Sequence, residues 1–337
     1  MLLLGMDEMP MNILIIDSQR VNYIDPGEYA SGSVYQPYRL EVTSRPSDEQ
    51  LARADGIIAF HSVVIDAPLV ARMHRCRALV KATIGLDDVD VEALSAKGIL
   101  CSNIGSVGAE EVAEHAMALI LFAQRKLLDY ARHTRQGGWS WRAHNGEIRA
   151  CADTVLGLIG YGATGRALAR RATALGYRIC FYDPWVERCG EGIAQGGTLE
   201  SLLETADVIS LHLPLRPDTE HLMNDARFSR MKHGATLVNT ARGGIVDTGA
   251  LLRSLQSGIV SMALLDVVQE EPAPPQALIE HERVLLTPHA AFYSERSLAE
   301  LKANALETIM GLLEGTEIKT LVNPDCVSGG GEGICLN

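Results

Sequence analysis

Short runs of β-branched and aliphatic residues recur along the chain, separated by longer stretches of helical spacing. That alternation builds parallel sheets through crossover helices. In the front segment the runs are Ile13 to Ile16, Gly56 to Phe60, Ala78 to Ala82 and Ile99 to Ser102. Further on they are Thr154 to Ile159, Arg178 to Tyr182, Val208 to Leu211, Thr236 to Asn239, Met262 to Leu265 and Val284 to Leu286. Between the two sets, Val112, His115, Ala116, Leu119, Ile120 and Ala123 share a helical face behind the acidic pair Glu110 and Glu111, so one long helix is predicted over 109–128. A Gly-, Trp- and Arg-rich connection, Gly137 to Arg142, precedes the second set. A last helical stretch, Ser294 to Leu313, is expected to return to the first domain, whose sheet the end of the chain would complete.

The pattern predicts an α/β protein of two domains, because 337 residues exceed what one core comfortably holds. We expect a smaller domain over 11–107 plus 299–324, a larger doubly wound domain over 108–298, and a disordered Gly-rich tail over 325–337. A hydrophobic share of 47% with 21% charged residues fits ordinary globular domains. The net charge of -12 argues against nucleic acid as a partner, since phosphate backbones call for an excess of Lys and Arg. No apolar run is long enough to span a membrane. The opening Met1 to Leu4 is cut short by Asp7 and Glu8, unlike a signal peptide, and the residues before Met11 read equally as a leader or as an early start. Seven scattered cysteines suit a reducing compartment, and a cytoplasmic location is expected. No Cys or His pair has metal-ligand spacing, so no metal is expected.

One strand runs into a glycine turn: Val155 to Ile159 is followed by Gly160-Tyr161-Gly162-Ala163-Thr164-Gly165, and a helical pattern begins directly after it. Gly160 permits a tight turn, Gly162 lets backbone approach a pyrophosphate, and Gly165 allows close helix packing, while the first amides of the helix attract the phosphate charge. The next strand ends in Asp183, at the distance expected of the carboxylate that binds a ribose diol. An acid there would repel a 2′-phosphate, and no basic residue follows until Arg188, so NAD (NADH) is expected over NADP.

Three further strand ends carry polar residues where open α/β sheets bind ligands: Arg242 in Asn239 to Gly244, Glu271 in Leu265 to Pro272, and His289 in Leu286 to Ala291. Reducing a 2-oxo acid needs a proton donor for the forming alkoxide, and imidazole titrates near neutral pH. A carboxylate beside it orients the ring and favours the imidazolium. A guanidinium can hold the substrate carboxylate and polarise the carbonyl. Each of the three, taken alone, reads as well as a solvated or capping residue; the joint pattern favours catalysis.

The glycine turn, Asn239 to Asp247, Ala263 to Pro272 and Thr287 to His289 together resemble the D-isomer-specific 2-hydroxyacid dehydrogenase family over nearly the whole chain. The resemblance implies a Rossmann-type doubly wound sheet inserted into a smaller flavodoxin-like substrate domain. It implies that Arg242 binds the substrate carboxylate and carbonyl, that Glu271 pairs with the histidine, and that His289 transfers the proton. On the cofactor side it assigns Ala163 and Thr164 within the glycine turn, Thr240, Ala241 and Asp266 along the nicotinamide riboside and carboxamide, and His212, Pro214 and Thr219 bordering the adenosine. It also implies a homodimer joined through the nucleotide-binding domains.

The family's carboxylate-binding loop corresponds to Lys81 to Asp90, which assigns Ile84 and Gly85 to the substrate. Lys81 and His61 are candidates for a second anionic group on it; the alternative is that Lys81 pairs with Asp87 or Asp88. Phe60-His61-Ser62-Val63 and Pro288 to Glu295 are similar to the C-terminal-binding protein branch, with Phe292 in place of a pocket tryptophan. That branch implies a second class of function, an NAD-sensing scaffold with little turnover.

Overall fold

The computed structural model describes residues 10–17, 38–61, 63–186 and 195–329, with side chains to 326. Arg188 and the tail beyond 329 lie outside the described residues. Two compact units result: the residues up to Val107 together with those from Glu295 onward, and Gly108–Ser294. The second boundary falls at Ser294 instead of 298, because the last helix already begins at Glu295.

The smaller unit is a five-stranded sheet of β1 (Met11–Ile16), β2 (Tyr38–Thr43), β3 (Gly56–Ala59), β4 (Ala78–Lys81) and β5 (Leu100–Asn103). Their order is β2-β1-β3-β4-β5, every pairing is parallel, and this is the flavodoxin-like arrangement. Strands β3 and β4 are buried at every position, which explains their unbroken apolar runs. Three short helices, α1 (Asp48–Arg53), α2 (Ala67–Ala71) and α3 (Val91–Ala96), are each capped by a side chain, from Ser47, Asp66 and Asp90. Among the described residues the end of the chain adds no strand. It supplies a long helix, Glu295–Glu314, whose buried Leu301, Ala305, Leu306, Ile309, Leu312 and Leu313 lie against β3, β4 and β5. Among the described residues one antiparallel bridge, Ser102 to Leu321, extends the sheet there. Residues 324–329 form a 3-10 turn where disorder was expected from 325, because Asn323 is anchored: it accepts from Cys101 N at 2.7 Å and donates to Ile99 O at 2.9 Å.

The larger unit opens with α4 (Ala109–Gln124), not the single helix to 128 that its periodicity suggests. Lys126 takes a left-handed φ of 53°, and a separate helix, α5 (Leu127–Arg135), follows. Seven parallel strands come next: β6 (Val155–Ile159), β7 (Arg178–Tyr182), β8 (Gln195–Gly196), β9 (Val208–Leu211), β10 (Ala235–Asn239), β11 (Val260–Leu265) and β12 (Val284–Leu286). Their order, β12-β11-β10-β9-β6-β7-β8, reverses direction between β6 and β9, and that switch point is where such sheets bind ligands at their carboxyl ends. The sheet has two cores: Ala263 and Leu265 of β11 join one with Ile209, Leu211 and Leu237, while Leu264 joins the other with Leu156, Leu158 and Phe181. Each fully buried side chain of this kind stabilises by about 1.5–3 kcal/mol. Helix α4 lies over β10 and β11 on the second face, beside α6 (Ala163–Ala174). No helix among the described residues is long and apolar enough to cross a membrane. Burial pushes the Cys76 and Cys101 thiols up to about 12, so both stay protonated and inert.

Candidate active site

The glycine turn is shaped by close approaches at two positions. Gly160 has φ +95°, and a Cβ there would collide with the His212 carbonyl; a Cβ on Gly165 would collide with the Gly160 carbonyl oxygen. Between them, Tyr161 turns inward and stacks on Phe181 at 4.1 Å, fixing the turn to β7. Gly162 differs from both: a Cβ there would meet nothing within 4 Å, and it caps α6 without a side-chain hydrogen bond. The amides that open α6 thus have no side-chain cap and stand at the positive end of a 12-residue helix. Asp183 stands beside the turn at the end of β7. Its two carboxylate oxygens accept from Tyr161 N at 2.7 Å and Trp185 N at 2.9 Å, which fixes the carboxylate next to the glycines.

Two other cofactor candidates carry buried polar atoms without a partner among the described residues, Thr240 Oγ1 and His212 Nδ1. Such groups are costly unless a ligand or water completes them. His212 Nε2 is 2.8 Å from Ser210 Oγ, and burial lowers its pKa to about 4, so the ring is neutral at physiological pH. Thr219 ties its own loop by donating to Pro214 O at 2.7 Å and accepting from Arg216 N at 2.8 Å. A helix start without a side-chain cap, open space at Gly162, a fixed carboxylate and two orphaned polar atoms fit a dinucleotide laid across the switch point.

The three strand-end loops beyond β10, β11 and β12 are locked to one another. Asn239 holds the first, donating to Arg242 O at 2.9 Å and accepting from Ala241 N at 3.0 Å. Gly243 presses that loop so closely on the second that a Cβ would strike the Val268 carbonyl. In the second loop Glu271 Oε1 accepts from Val268 N at 3.0 Å, and Glu271 Oε2 reaches His289 Nδ1 at 2.8 Å. The third loop is fastened by Asp266, whose side chain is 1% exposed. Asp266 Oδ1 accepts from Thr287 Oγ1 at 2.6 Å and Ala290 N at 2.9 Å, and Oδ2 accepts from Ala291 N at 3.0 Å. Its carbonyl accepts from His289 N at 2.8 Å. These bonds hold His289 at φ 54°, a left-handed conformation that costs a non-glycine residue about 1–2 kcal/mol. Arg242, Glu271 and His289 thus sit on one interlocked set of loops.

Within this geometry the family comparison is decisive. The model for the NAD binding domain of the D-isomer specific 2-hydroxyacid dehydrogenases matches residues 117–291. The chain belongs to that family. The dehydrogenase is 34% identical to a glyoxylate reductase of Aeropyrum pernix over 87% of its own length and 89% of the relative's. It is 32% identical to a glycerate dehydrogenase of Methylorubrum extorquens over 83% and 90% of the two chains. Among solved structures, a D-lactate dehydrogenase from Aquifex aeolicus complexed with NAD and lactic acid superposes with a TM-score of 0.80 at 28% identity, covering 90% of this chain and 96% of that one. The dehydrogenase is accordingly an NAD-dependent enzyme of 2-oxo and D-2-hydroxy acids.

In the smaller unit Lys81 takes the ion-pair alternative. Lys81 is 1% exposed but not in need of a ligand: its ammonium donates to Asp88 Oδ2 at 2.6 Å and Val63 O at 2.7 Å. With Asp88 as its counter-ion, buried Lys81 needs no anionic group of a substrate to neutralise it. His61 lies in the turn after β3, half-buried. Ile84 and Gly85 form an exposed loop whose carbonyls are taken by Asn103 Nδ2 at 2.8 Å and Thr83 Oγ1 at 2.7 Å, and neither N–H has an acceptor among the described residues. Phe292 packs edge-on to Tyr293 with 6.5 Å between ring centroids, in the larger unit.

Three contributors escaped the sequence reading. Thr287 was seen only as part of a motif, Ser210 as a strand residue, and His115 as one member of an apolar helix face. A polar side chain interrupting an otherwise apolar stripe was the available signal for His115.

Proposed function

We propose that the dehydrogenase reduces a small 2-oxo acid, of the size of glyoxylate or hydroxypyruvate, to the D-2-hydroxy acid and catalyses the reverse, with His289 moving the proton. The observation that carries this reading is the 2.8 Å contact of His289 Nδ1 with Glu271 Oε2 on a loop clamped by a buried aspartate. With Nδ1 committed to Glu271, Nε2 is the atom that gives a proton to the forming alkoxide and takes it back in oxidation. Glu271 stabilises the imidazolium and keeps the ring oriented. Arg242 binds the carboxylate and polarises the 2-oxo group. Bound NADH supplies the hydride. The amides opening α6 hold its pyrophosphate, Asp183 its ribose diol, and Thr240, Ala241, Asp266, His212, Pro214 and Thr219 border the rest.

In the smaller unit, Ile84 and Gly85 offer N–H groups suited to a carboxylate; His61 of that unit and Phe292 of the larger one are candidates for the substrate side through the family resemblance. We further assign the chain to the cytoplasm, in keeping with inert buried thiols, and to a homodimer joined through the larger unit. That unit leaves Trp139 and Trp141 exposed at 93% and 71%, and exposed tryptophan is enriched at interfaces.

The test is an NADH-oxidation screen across glyoxylate, hydroxypyruvate, pyruvate and aryl-pyruvates. Saturable turnover with one of them supports the reading. NADH binding with negligible turnover on all would instead favour the NAD-sensing scaffold.

A further inference from the structure

Helix α4 brings a histidine to the underside of the catalytic loop. His115 Nε2 lies 3.1 Å from Thr287 Oγ1 and 3.8 Å from Asp266 Oδ1, and its side chain is 27% exposed. Thr287 Oγ1 in turn is 2.6 Å from Asp266 Oδ1. The direction of this chain follows from counting protons. Ionised Asp266 can only accept, so the one hydroxyl proton of Thr287 goes to it. The Thr287 oxygen must then accept from His115, which places a proton on His115 Nε2.

We propose that His115 is a positioning residue for His289, acting through Thr287 and Asp266. Asp266 fastens the loop on both sides of His289, through Thr287 on one side and the amides of Ala290 and Ala291 on the other. It is also a buried carboxylate with no Lys or Arg ion pair among the described residues; His115 is the basic side chain brought near it. A carboxylate in that setting needs every donor it has. His115 polarises the Thr287 hydroxyl toward Asp266, strengthens that bond, and so holds the loop in the left-handed conformation of His289. Helix α4 rests on β10, which ends at Asn239, and on β11, which ends just before Asp266, so the support is tied to the same sheet as the site. His115 touches neither substrate nor cofactor in this account, and its effect is on where the His289 ring stands.

The inference rests on the proposed role of His289, and the experiment separates the two. Wild type, His289→Ala, His115→Phe, His115→Gln, Thr287→Val and the His115→Phe/Thr287→Val double variant are compared with NADH and the best 2-oxo acid. NADH affinity and melting temperature are measured alongside. We expect His115→Phe to lower kcat about 10- to 100-fold while NADH affinity and KM change far less, since misplacing a catalytic group acts on the chemical step. His115→Gln, which keeps an N–H donor near the Nε2 position, should recover most of the loss. Thr287→Val should match His115→Phe, and the double variant should be no worse than the poorer single one, because both break one chain.

Unchanged kcat in folded His115→Phe overturns the inference. So does a loss that Gln does not rescue, or one that adds to that of Thr287→Val. If His289→Ala keeps wild-type turnover, or wild type reduces no 2-oxo acid, the reading of the site itself fails and takes this inference with it.

Discussion

Asp183 and His212, both proposed to border the cofactor, differ in charge. Asp183 keeps a charge, pinned by the amides of Tyr161 and Trp185, beside the place where a ribose would lie. Replacing it with Ala should weaken NADH binding and narrow the preference over NADPH, and a nearby Arg added to that variant should improve NADPH use. Wild type using NADPH as well as NADH, measured as kcat/KM for each, would show the assignment to be wrong. His212 stays neutral because burial lowers its pKa to about 4. The unfolded chain takes up a proton near pH 6.5 and the folded one does not, so acid favours unfolding. Stability of the cofactor-free protein should therefore fall as pH drops from about 6.5 toward about 4, and His212→Asn should flatten part of that slope in urea titrations. A slope unchanged by the substitution would mean that His212 is solvated in the folded state.

The β6-turn-α6 unit can be tested by two glycines with opposite surroundings. Gly165→Ala drives a methyl into the Gly160 carbonyl and should disturb the turn itself, lowering stability along with NADH affinity. Gly162→Ala meets only open space, so its stability should stay within about 1 kcal/mol of wild type while NADH binding weakens, the methyl lying where the pyrophosphate approaches. Equal effects of the two on stability would contradict that division. This unit was legible in the sequence because its chemistry is local: a strand, three glycines at fixed spacing and an acid on the next strand. Elements without such a signature were not. β2 reads Tyr-Arg-Leu-Glu-Val-Thr, with charges that mask its pattern, and β8 has two residues, too short for any periodicity. The break between α4 and α5 turns on the backbone of one lysine, Lys126. The catalytic trio was legible as residues, whereas what clamps it was not, since Asp266, Thr287 and His115 meet only through the packing of β11, β12 and α4.

For the molecule as a whole, Gly108–Ser294 holds both the glycine turn and the loops of Arg242, Glu271 and His289, so the proposed cofactor and proton roles fall within a single unit. Lys81 shows the reverse case: its pairing with Asp88 depends on a loop closing back within the smaller unit, and composition alone could not decide between that ion pair and a ligand. The exposed tryptophans Trp139 and Trp141 predict a further property, self-association. Sedimentation should give twice the 36.5 kDa mass of one chain, and replacing both tryptophans with Ser should shift it toward one; a wild-type monomer at micromolar concentration would rule the dimer out.

The most direct test of the account is His289→Ala, assayed with the best 2-oxo acid at saturating NADH. The account predicts a fall in kcat of about 10²- to 10⁴-fold, the usual contribution of a general acid, with NADH affinity close to wild type. Turnover equal to wild type, or loss of NADH binding in a folded variant, would contradict it.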